Sequence, residues 1–231
     1  MRNIKAVFIK QLLSFFKNPG MWGAPATFLL IPFAFRIFLG AEDMPIIVTQ
    51  FVAMFVGISM IGVSGAFIIE DRSTMNLRFM GMAGVKPYQY LIATCTALLI
   101  VSIIANFIFG MIGGRWGIEM LNFMILSTIA AFTSMLLGIT LRLIKGVGEF
   151  TPIIGILLGV GPSFAEVNET LTMIFNVTFT FQIQQGLRAD LTTLDSDVLQ
   201  IVLINMAVIL AAFIVMNLRT GLDGEKMAKT A

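Results

Sequence analysis

Long apolar runs separated by short polar stretches make up most of the chain, and this pattern predicts membrane-spanning helices. A helix of about 20 apolar residues crosses a hydrocarbon core of about 30 Å. Runs of this length predict five spans, at residues 21–38, 45–69, 91–112, 120–141 and 198–216. Together with one further span they define an all-α integral membrane fold with six transmembrane helices.

The further span lies between the fourth and the last of these runs. Residues 151–164 would form only about 21 Å of helix, which is too short to cross the hydrocarbon core. We therefore expect this span to begin near Leu143 and to hold Lys145 and Glu149 at the interface, where charges are tolerated. The Gly-Pro pair at residues 161–162 is expected to end it.

The longest polar interruption, residues 70–90, carries five charged side chains between two spans. Each charge would cost about 3 kcal/mol near the centre of a bilayer. The stretch must therefore be a loop at one face of the membrane. Its charged residues are Glu70, Asp71, Arg72, Arg78 and Lys86.

Part of this loop is predicted to be helical. Residues 73–82 place methionine, leucine and phenylalanine among polar side chains, which is typical of a short amphipathic helix. Ser73 or Asp71 is expected to cap its first turn. Glycines and a proline beyond it turn the chain back to the bilayer, where Tyr88 and Tyr90 are expected at the interface.

Two other segments are too polar or too short to span. Residues 1–17 place apolar side chains on one helical stripe and lysines on the other, which predicts an amphipathic helix lying on the membrane. Its basic residues are too widely spaced for a signal peptide, so we expect this segment to be retained. Residues 171–181 form an apolar run of only 11 residues, and a re-entrant or interfacial element within residues 165–188 is expected.

Composition limits the chemistry of the chain. Charged residues make up 12% of it and hydrophobic residues 58%, whereas an ordinary soluble domain has about 25% charged residues. There is no histidine and the single cysteine, Cys95, lies in an apolar run, so His-based or Cys-based metal sites and structural disulfides are excluded. No GxxxxGK[ST] phosphate loop occurs, so we expect no catalytic residue and no bound cofactor in this chain. The net charge of +2 gives no indication of nucleic-acid binding.

Basic residues are distributed unevenly between the two faces that six spans define. Arg36, Arg115 and Arg188 fall on one face, where Arg36 is expected to extend toward water. Cytoplasmic loops of membrane proteins are rich in lysine and arginine. We therefore expect the more basic face, which carries both termini, to be the cytoplasmic face of a cell membrane. That face receives Arg2, Lys5, Lys10, Lys17, Arg72, Arg78, Lys86, Arg142, Lys145, Arg219, Lys226 and Lys229.

Residues inside the spans give weaker indications of function and of subunit contacts. Proton-coupled or sodium-coupled carriers bury carboxylates at depth, but Glu149 is the one candidate here and it lies near an interface. Gly155 and Gly159 are spaced for close helix packing, either within the chain or against a second subunit.

The order of these elements resembles the membrane subunits of type-2 ATP-binding-cassette exporters, the ABC-2 permeases. In that family an amphipathic connecting helix precedes span one, a charged cytoplasmic loop follows span two, and a re-entrant segment follows span five. Residues 1–17, 70–87 and 165–188 correspond to these features, within a single transmembrane domain of residues 1–231.

The resemblance implies partners. The family's loop carries a coupling helix that docks on a separate ATPase subunit, which binds ATP and magnesium. The permease subunit pairs with a second one, identical or different, within the membrane lipid. By this resemblance, the docking contacts are Glu70, Asp71, Arg72, Arg78 and Lys86.

For such an exporter the apolar spans favour an amphipathic peptide or a hydrophobic drug as cargo, because they offer no charged partners for sugars or ions. The same side chains in a structural role would simply face lipid. An exporter of lipid-linked glycan and a membrane assembly or immunity protein that transports nothing remain alternatives. The residues expected along the path are Phe33, Phe51, Met54, Phe55, Met60, Phe107, Met111, Thr178, Thr180, Gln182 and Gln184.

Overall fold

The computed structural model describes residues 2–40, 42–144, 146–165, 167, 169–189 and 191–220, and all regular structure in these ranges is helical. Six of the helices are long and apolar enough to cross a membrane, which confirms the prediction of a multi-pass membrane protein. Spans one to six are Pro19–Leu39, Met44–Ser73, Pro87–Ile112, Gly117–Leu143, Gly148–Ala165 and Ser196–Thr220.

Spans two and four form the centre of the bundle. About 70% of each is buried by the rest of the chain, against less than 20% of spans one and six. The two central helices approach closely at Gly138, where a Cβ would lie 2.3 Å from the carbonyl oxygen of Ile61. Small residues allow membrane helices this proximity, and it maximises their van der Waals contact.

Span two is not a regular α-helix throughout. Its middle, Phe55–Met60, is a π-helical turn between two α-helical segments. Within this turn Gly57 meets span five so closely that a Cβ would lie 2.4 Å from the backbone nitrogen of Gly159. A Cβ on Gly155 would lie 3.1 Å from the carbonyl oxygen of Gly57. The glycine pair of span five therefore packs within the chain, which decides between the two alternatives that its spacing left open.

Span five begins later and ends later than its sequence indicated. The helix of span four ends at Leu143, and span five starts with a 3₁₀ turn, Gly148–Phe150, so the expected start near Leu143 is wrong. Glu149 is exposed on this turn, while Lys145 lies outside the described residues. The helix continues through Pro162 to Ala165. Membrane helices tolerate an internal proline because neighbouring elements can satisfy the carbonyl that it leaves free.

Four shorter helices complete the described fold. An N-terminal helix, Arg2–Lys17, packs along span three, and a loop helix, Asn76–Met82, follows span two. The short helix Glu169–Phe175 has no buried residue. The fourth, Phe179–Arg188, is called the inserted helix here because it is buried on nearly all sides among spans two, four, five and six.

The inserted helix shows which part of this region is buried. The expected element lay within residues 165–188 around the apolar run 171–181, and the structure buries its second half, including the polar side chains Thr180, Gln182 and Gln184. Gln182 Nε2 donates to Asn176 Oδ1 at 2.9 Å, so part of the cost of burying these amides is offset locally.

The charged side chains lie at two ends of the bundle. At one end Arg36 donates hydrogen bonds to the carbonyl oxygens of Met111 and Ile112, at the C-terminus of span three. It therefore caps that helix and is half-buried there, since a cation is stabilised at a helix C-terminus. Arg115, which contacts the inserted helix, and Arg188, the last residue of that helix, lie at the same end. Lys10, Asp71, Arg72 and Arg142 lie at the other end.

Candidate functional site

The charged loop begins inside a helix. Span two continues to Ser73, so Glu70, Asp71 and Arg72 occupy its last two turns. The hydroxyls of Ser73 and Thr74 donate to the carbonyl oxygen of Glu70 at 3.0 and 2.6 Å. The expectation that Ser73 or Asp71 caps the loop helix is therefore wrong, because these hydroxyls close the end of span two.

A sharp turn connects span two to the loop helix. Met75 has a φ of 56°, a left-handed conformation that is uncommon for a residue with a side chain. The next residue, Asn76, starts the loop helix and donates from its Nδ2 to Asp71 Oδ1 at 3.2 Å. The turn thus folds the loop helix back onto the end of span two.

Asp71 is fully buried at this point and accepts four polar contacts. Its Oδ2 accepts hydrogen bonds from Gln11 Nε2 and from the Tyr90 hydroxyl, both at 2.8 Å. Its Oδ1 accepts from Asn76 and forms an ion pair with Lys10. A buried carboxylate requires such a complete set of donors, since an unpaired one is very costly.

These contacts join three parts of the chain. Lys10 and Gln11 come from the N-terminal helix, Asp71 and Asn76 from the end of span two and the loop helix, and Tyr90 from the first turns of span three. Gln11 Nε2 also donates to Thr94 Oγ1 at 3.2 Å. We call this set the anchor cluster; its members are Lys10, Gln11, Asp71, Asn76, Tyr90 and Thr94.

Apolar packing supports the anchor cluster. Leu77 is the buried residue of the loop helix, and it belongs to one core cluster with Val7, Ile68, Tyr90 and Leu143. The N-terminal helix, spans two to four and the loop helix therefore meet here. Tyr90 is 2% exposed and therefore contacts protein, whereas Tyr88 is exposed.

Most of the other charged side chains of the loop point outward. Arg72, Arg78 and Lys86 are exposed, and Glu70 is half-buried. Three large apolar side chains are exposed beside them: Met75 by 52%, Phe79 by 60% and Met82 by 67%. We call this surface the loop face; its members are Arg72, Met75, Arg78, Phe79, Met82 and Lys86.

The structure therefore divides the five charged residues predicted as docking contacts. Asp71 is inside and is engaged by the anchor cluster, so it positions the loop. Arg72, Arg78 and Lys86 are exposed at the loop face, while Glu70 is half-buried. Arg72 Nη1 also donates to the carbonyl oxygen of Arg142 at 3.4 Å. Sequence reasoning did not distinguish these roles, because a buried and an exposed charge look alike in a polar stretch.

The residues expected along a substrate path do not form one surface. Phe55 and Met60 are fully buried, and the Phe55 ring packs edge-on against Phe109 with 5.5 Å between centroids. Phe51 packs between two phenylalanines of span one, at 6.5 and 6.1 Å. In contrast, Phe107 and Met111 are exposed on span three by 48% and 42%.

The other expected path residues behave in a similar way. Met54 is half-buried and Phe33 is exposed. Thr178 donates to the carbonyl oxygen of Phe175 at 2.7 Å, so it and Gln182 shape the entry to the inserted helix.

Arg115 is a buried residue whose role sequence reasoning missed. Its Nη2 donates to the carbonyl oxygen of Leu187 at 2.6 Å, and its guanidinium lies 5.3 Å from the centre of the Phe123 ring. Burial lowers the pKa of Arg115 from its ordinary value. The neighbouring Asn122 donates to the carbonyl oxygen of Leu191 at 2.8 Å. Arg115 thus fixes the C-terminus of the inserted helix to the start of span four.

Among the described residues, no group of three or more Asp, Glu and Cys side chains is placed to hold a metal ion. Comparison with known proteins gives no match, whether with protein-family models, with curated proteins or with solved structures.

Proposed function

We propose that this chain is the membrane-spanning permease subunit of an ATP-driven exporter of the ABC-2 type. The observation that carries the proposal is the loop face, where exposed apolar and basic side chains sit on a loop that a buried cluster holds in place. Phe79 and Met82 are unfavourable in water, and three cations exclude the loop face from lipid. A protein partner of complementary shape and charge would cover the exposed apolar side chains and pair with the three cations.

The anchor cluster supports a mechanical role for the loop. Asp71 connects the loop helix to the N-terminal helix and to span three through hydrogen bonds of 2.8 to 3.2 Å. A partner that displaces the loop would therefore displace the cytoplasmic ends of spans two and three together. Only a rigid connection of this kind can transmit a movement, because a flexible linker would absorb it.

In this proposal the loop face, the N-terminal helix and both termini are cytoplasmic, and the protein resides in a bacterial cell membrane. The N-terminal helix lies at the inner interface as the connecting helix. The short helix and the inserted helix form the re-entrant segment near the outer side. ATP and magnesium bind to the separate ATPase subunit, and a second permease subunit, identical or different, completes the transporter.

Reversing two charges of the loop face tests the ATPase partner. We expect the Arg72→Glu/Arg78→Glu variant to lose at least tenfold in the amount of ATPase subunit that co-purifies from the native membrane, because like charges then face each other. The matched control is Lys17→Glu, which reverses an exposed cation on the N-terminal helix away from the loop. If the wild-type chain brings down no ATPase subunit, the non-transporting alternative is favoured.

We further propose that the cargo is an amphipathic peptide or a hydrophobic drug-like compound. The one fully buried carboxylate of the described spans, Asp71, lies in the last turn of span two at one end of the bundle, and much of the exposed span surface is aliphatic or aromatic. We expect amphipathic peptides or lipophilic cations to raise the rate of ATP hydrolysis of the reconstituted complex by about twofold or more. Stimulation by a lipid-linked glycan alone would show that the cargo is a glycan.

A further inference from the structure

A groove lies between the N-terminal helix and span three, on the outside of the bundle. Its volume is about 320 Å³ and it is open on one side. Its lining is apolar except for one lysine and one threonine, and consists of Ile4, Lys5, Phe8, Ala93 and Thr96. Thr96 donates its hydroxyl to the carbonyl oxygen of Ile92 at 2.7 Å, so the wall it presents is apolar as well.

Both walls of the groove are held firmly. Ile4 and Phe8 pack against the core cluster that contains Val7 and Tyr90. Lys10 and Gln11, one turn further along the same helix, are fixed by Asp71. These contacts fix the N-terminal helix above span three, and the groove is formed by this packing.

The groove continues into a stripe of exposed side chains on span three. Ile92, Thr96, Ile100, Ile103 and Phe107 are all exposed and recur every three or four residues, so they share one face of the helix. From Thr96 to Phe107 this stripe is about 16 Å long, which is close to the length of an extended acyl chain. A lipid with its headgroup at the groove can therefore place one acyl chain along this stripe of span three.

The head end of the groove is positively charged. Lys5 is exposed at its edge, and no acidic side chain among the described residues forms an ion pair with it. Lysines on an amphipathic helix at the membrane surface attract anionic lipid headgroups, each contributing about 1 kcal/mol. The groove thus combines an apolar channel with a cation at its mouth, which is the chemistry of an anionic phospholipid.

We propose that this groove binds one anionic phospholipid, with its phosphate at Lys5 and an acyl chain along Thr96 and the exposed stripe of span three. The site is independent of the proposed transport function, because it is built from the N-terminal helix and span three alone. A bound lipid would add contacts between these two elements and so stabilise the position of the N-terminal helix.

The test uses the full chain in detergent with two defined lipids. Palmitoyl-oleoyl phosphatidylglycerol and palmitoyl-oleoyl phosphatidylcholine are titrated separately, and bound lipid is counted by native mass spectrometry while the unfolding temperature is followed. We expect phosphatidylglycerol to bind with a stoichiometry of one and to raise the unfolding temperature more than phosphatidylcholine does. Soluble glycerol 3-phosphate is the third probe and is expected to have no effect, since it lacks the acyl chains.

Two variants with matched controls locate the site. Lys5→Gln is expected to weaken phosphatidylglycerol binding about fivefold, whereas Lys17→Gln on the same helix leaves it unchanged. Thr96→Trp fills the groove and is expected to abolish the single bound lipid, whereas Ile204→Trp, at an exposed position of span six, does not. Equal losses in both lysine variants, equal binding of the two lipids, or full binding in Thr96→Trp would each overturn the proposal.

Discussion

Asp71→Asn is expected to lower the free energy of unfolding by about 3 kcal/mol, at the lower end of the range for breaking a buried ion pair. The carboxylate is 1% exposed, but the Lys10 side chain is 32% exposed and can turn toward water once its partner is neutral. The asparagine amide would also place a donor where Gln11 and Tyr90 already donate. Thermal unfolding in detergent measures the loss.

The same experiment on Lys10 adds a stricter test. Lys10→Met leaves the buried carboxylate without its cation, so it is also expected to destabilise the protein by a few kcal/mol. The double variant Lys10→Met/Asp71→Asn is expected to lose less than the sum of the two single losses, because neither charge is then left without its partner. Lys17→Met is the control, since Lys17 is exposed and has no ion pair among the described residues.

If the double variant loses as much stability as the two single variants together, the ion pair between Lys10 and Asp71 is unimportant. The stabilisation by the anchor cluster would then come from its neutral hydrogen bonds alone. A second readout separates stability from the position of the loop. Limited proteolysis after arginine should cut at Arg78 faster in Asp71→Asn than in the wild-type chain below its unfolding temperature. Unchanged cleavage would show that Leu77 and its apolar neighbours hold the loop helix without the anchor cluster.

The six spans could be predicted from the sequence because the length of an apolar run is a local property that the bilayer thickness selects. Helix ends were less predictable. A proline usually ends a helix in water, but Pro162 lies within the last turn of span five, because neighbouring elements in a membrane bundle can satisfy the carbonyl that it leaves free. Local sequence does not reveal whether a proline lies in the middle or at the end of a helix whose other boundary is unknown.

The anchor cluster could not be predicted for a different reason. Lys10 and Asp71 are 61 residues apart, and Tyr90 lies 19 residues beyond Asp71. Their meeting depends on how the N-terminal helix packs on span three, which is a tertiary property. The same holds for Arg115, whose acceptor Leu187 is 72 residues away. Polar residues near loops look solvated in sequence, and only packing shows which of them are buried.

Gly57 presents the tightest test of the helix packing. A Cβ at this position would lie 2.4 Å from the backbone nitrogen of Gly159 and 2.5 Å from its Cα, so no side-chain rotation can relieve the overlap. Gly57→Ala must therefore move spans two and five apart or distort the π-helical turn Phe55–Met60. We expect a loss of roughly 2 to 3 kcal/mol in stability, as for other overpacked cores.

Gly62→Ala is the matched control for this substitution. Gly62 lies five residues further along span two, and a Cβ there would have no neighbouring atom within 4 Å. Because alanine favours a helix over glycine, this variant is expected to be unchanged or more stable by up to about 1 kcal/mol. In the same detergent, Gly57→Ala is therefore expected to lower the unfolding temperature, whereas Gly62→Ala leaves it unchanged or raises it. If Gly57→Ala is as stable as Gly62→Ala, spans two and five do not cross closely, and the Gly155 and Gly159 face is free to contact a second subunit.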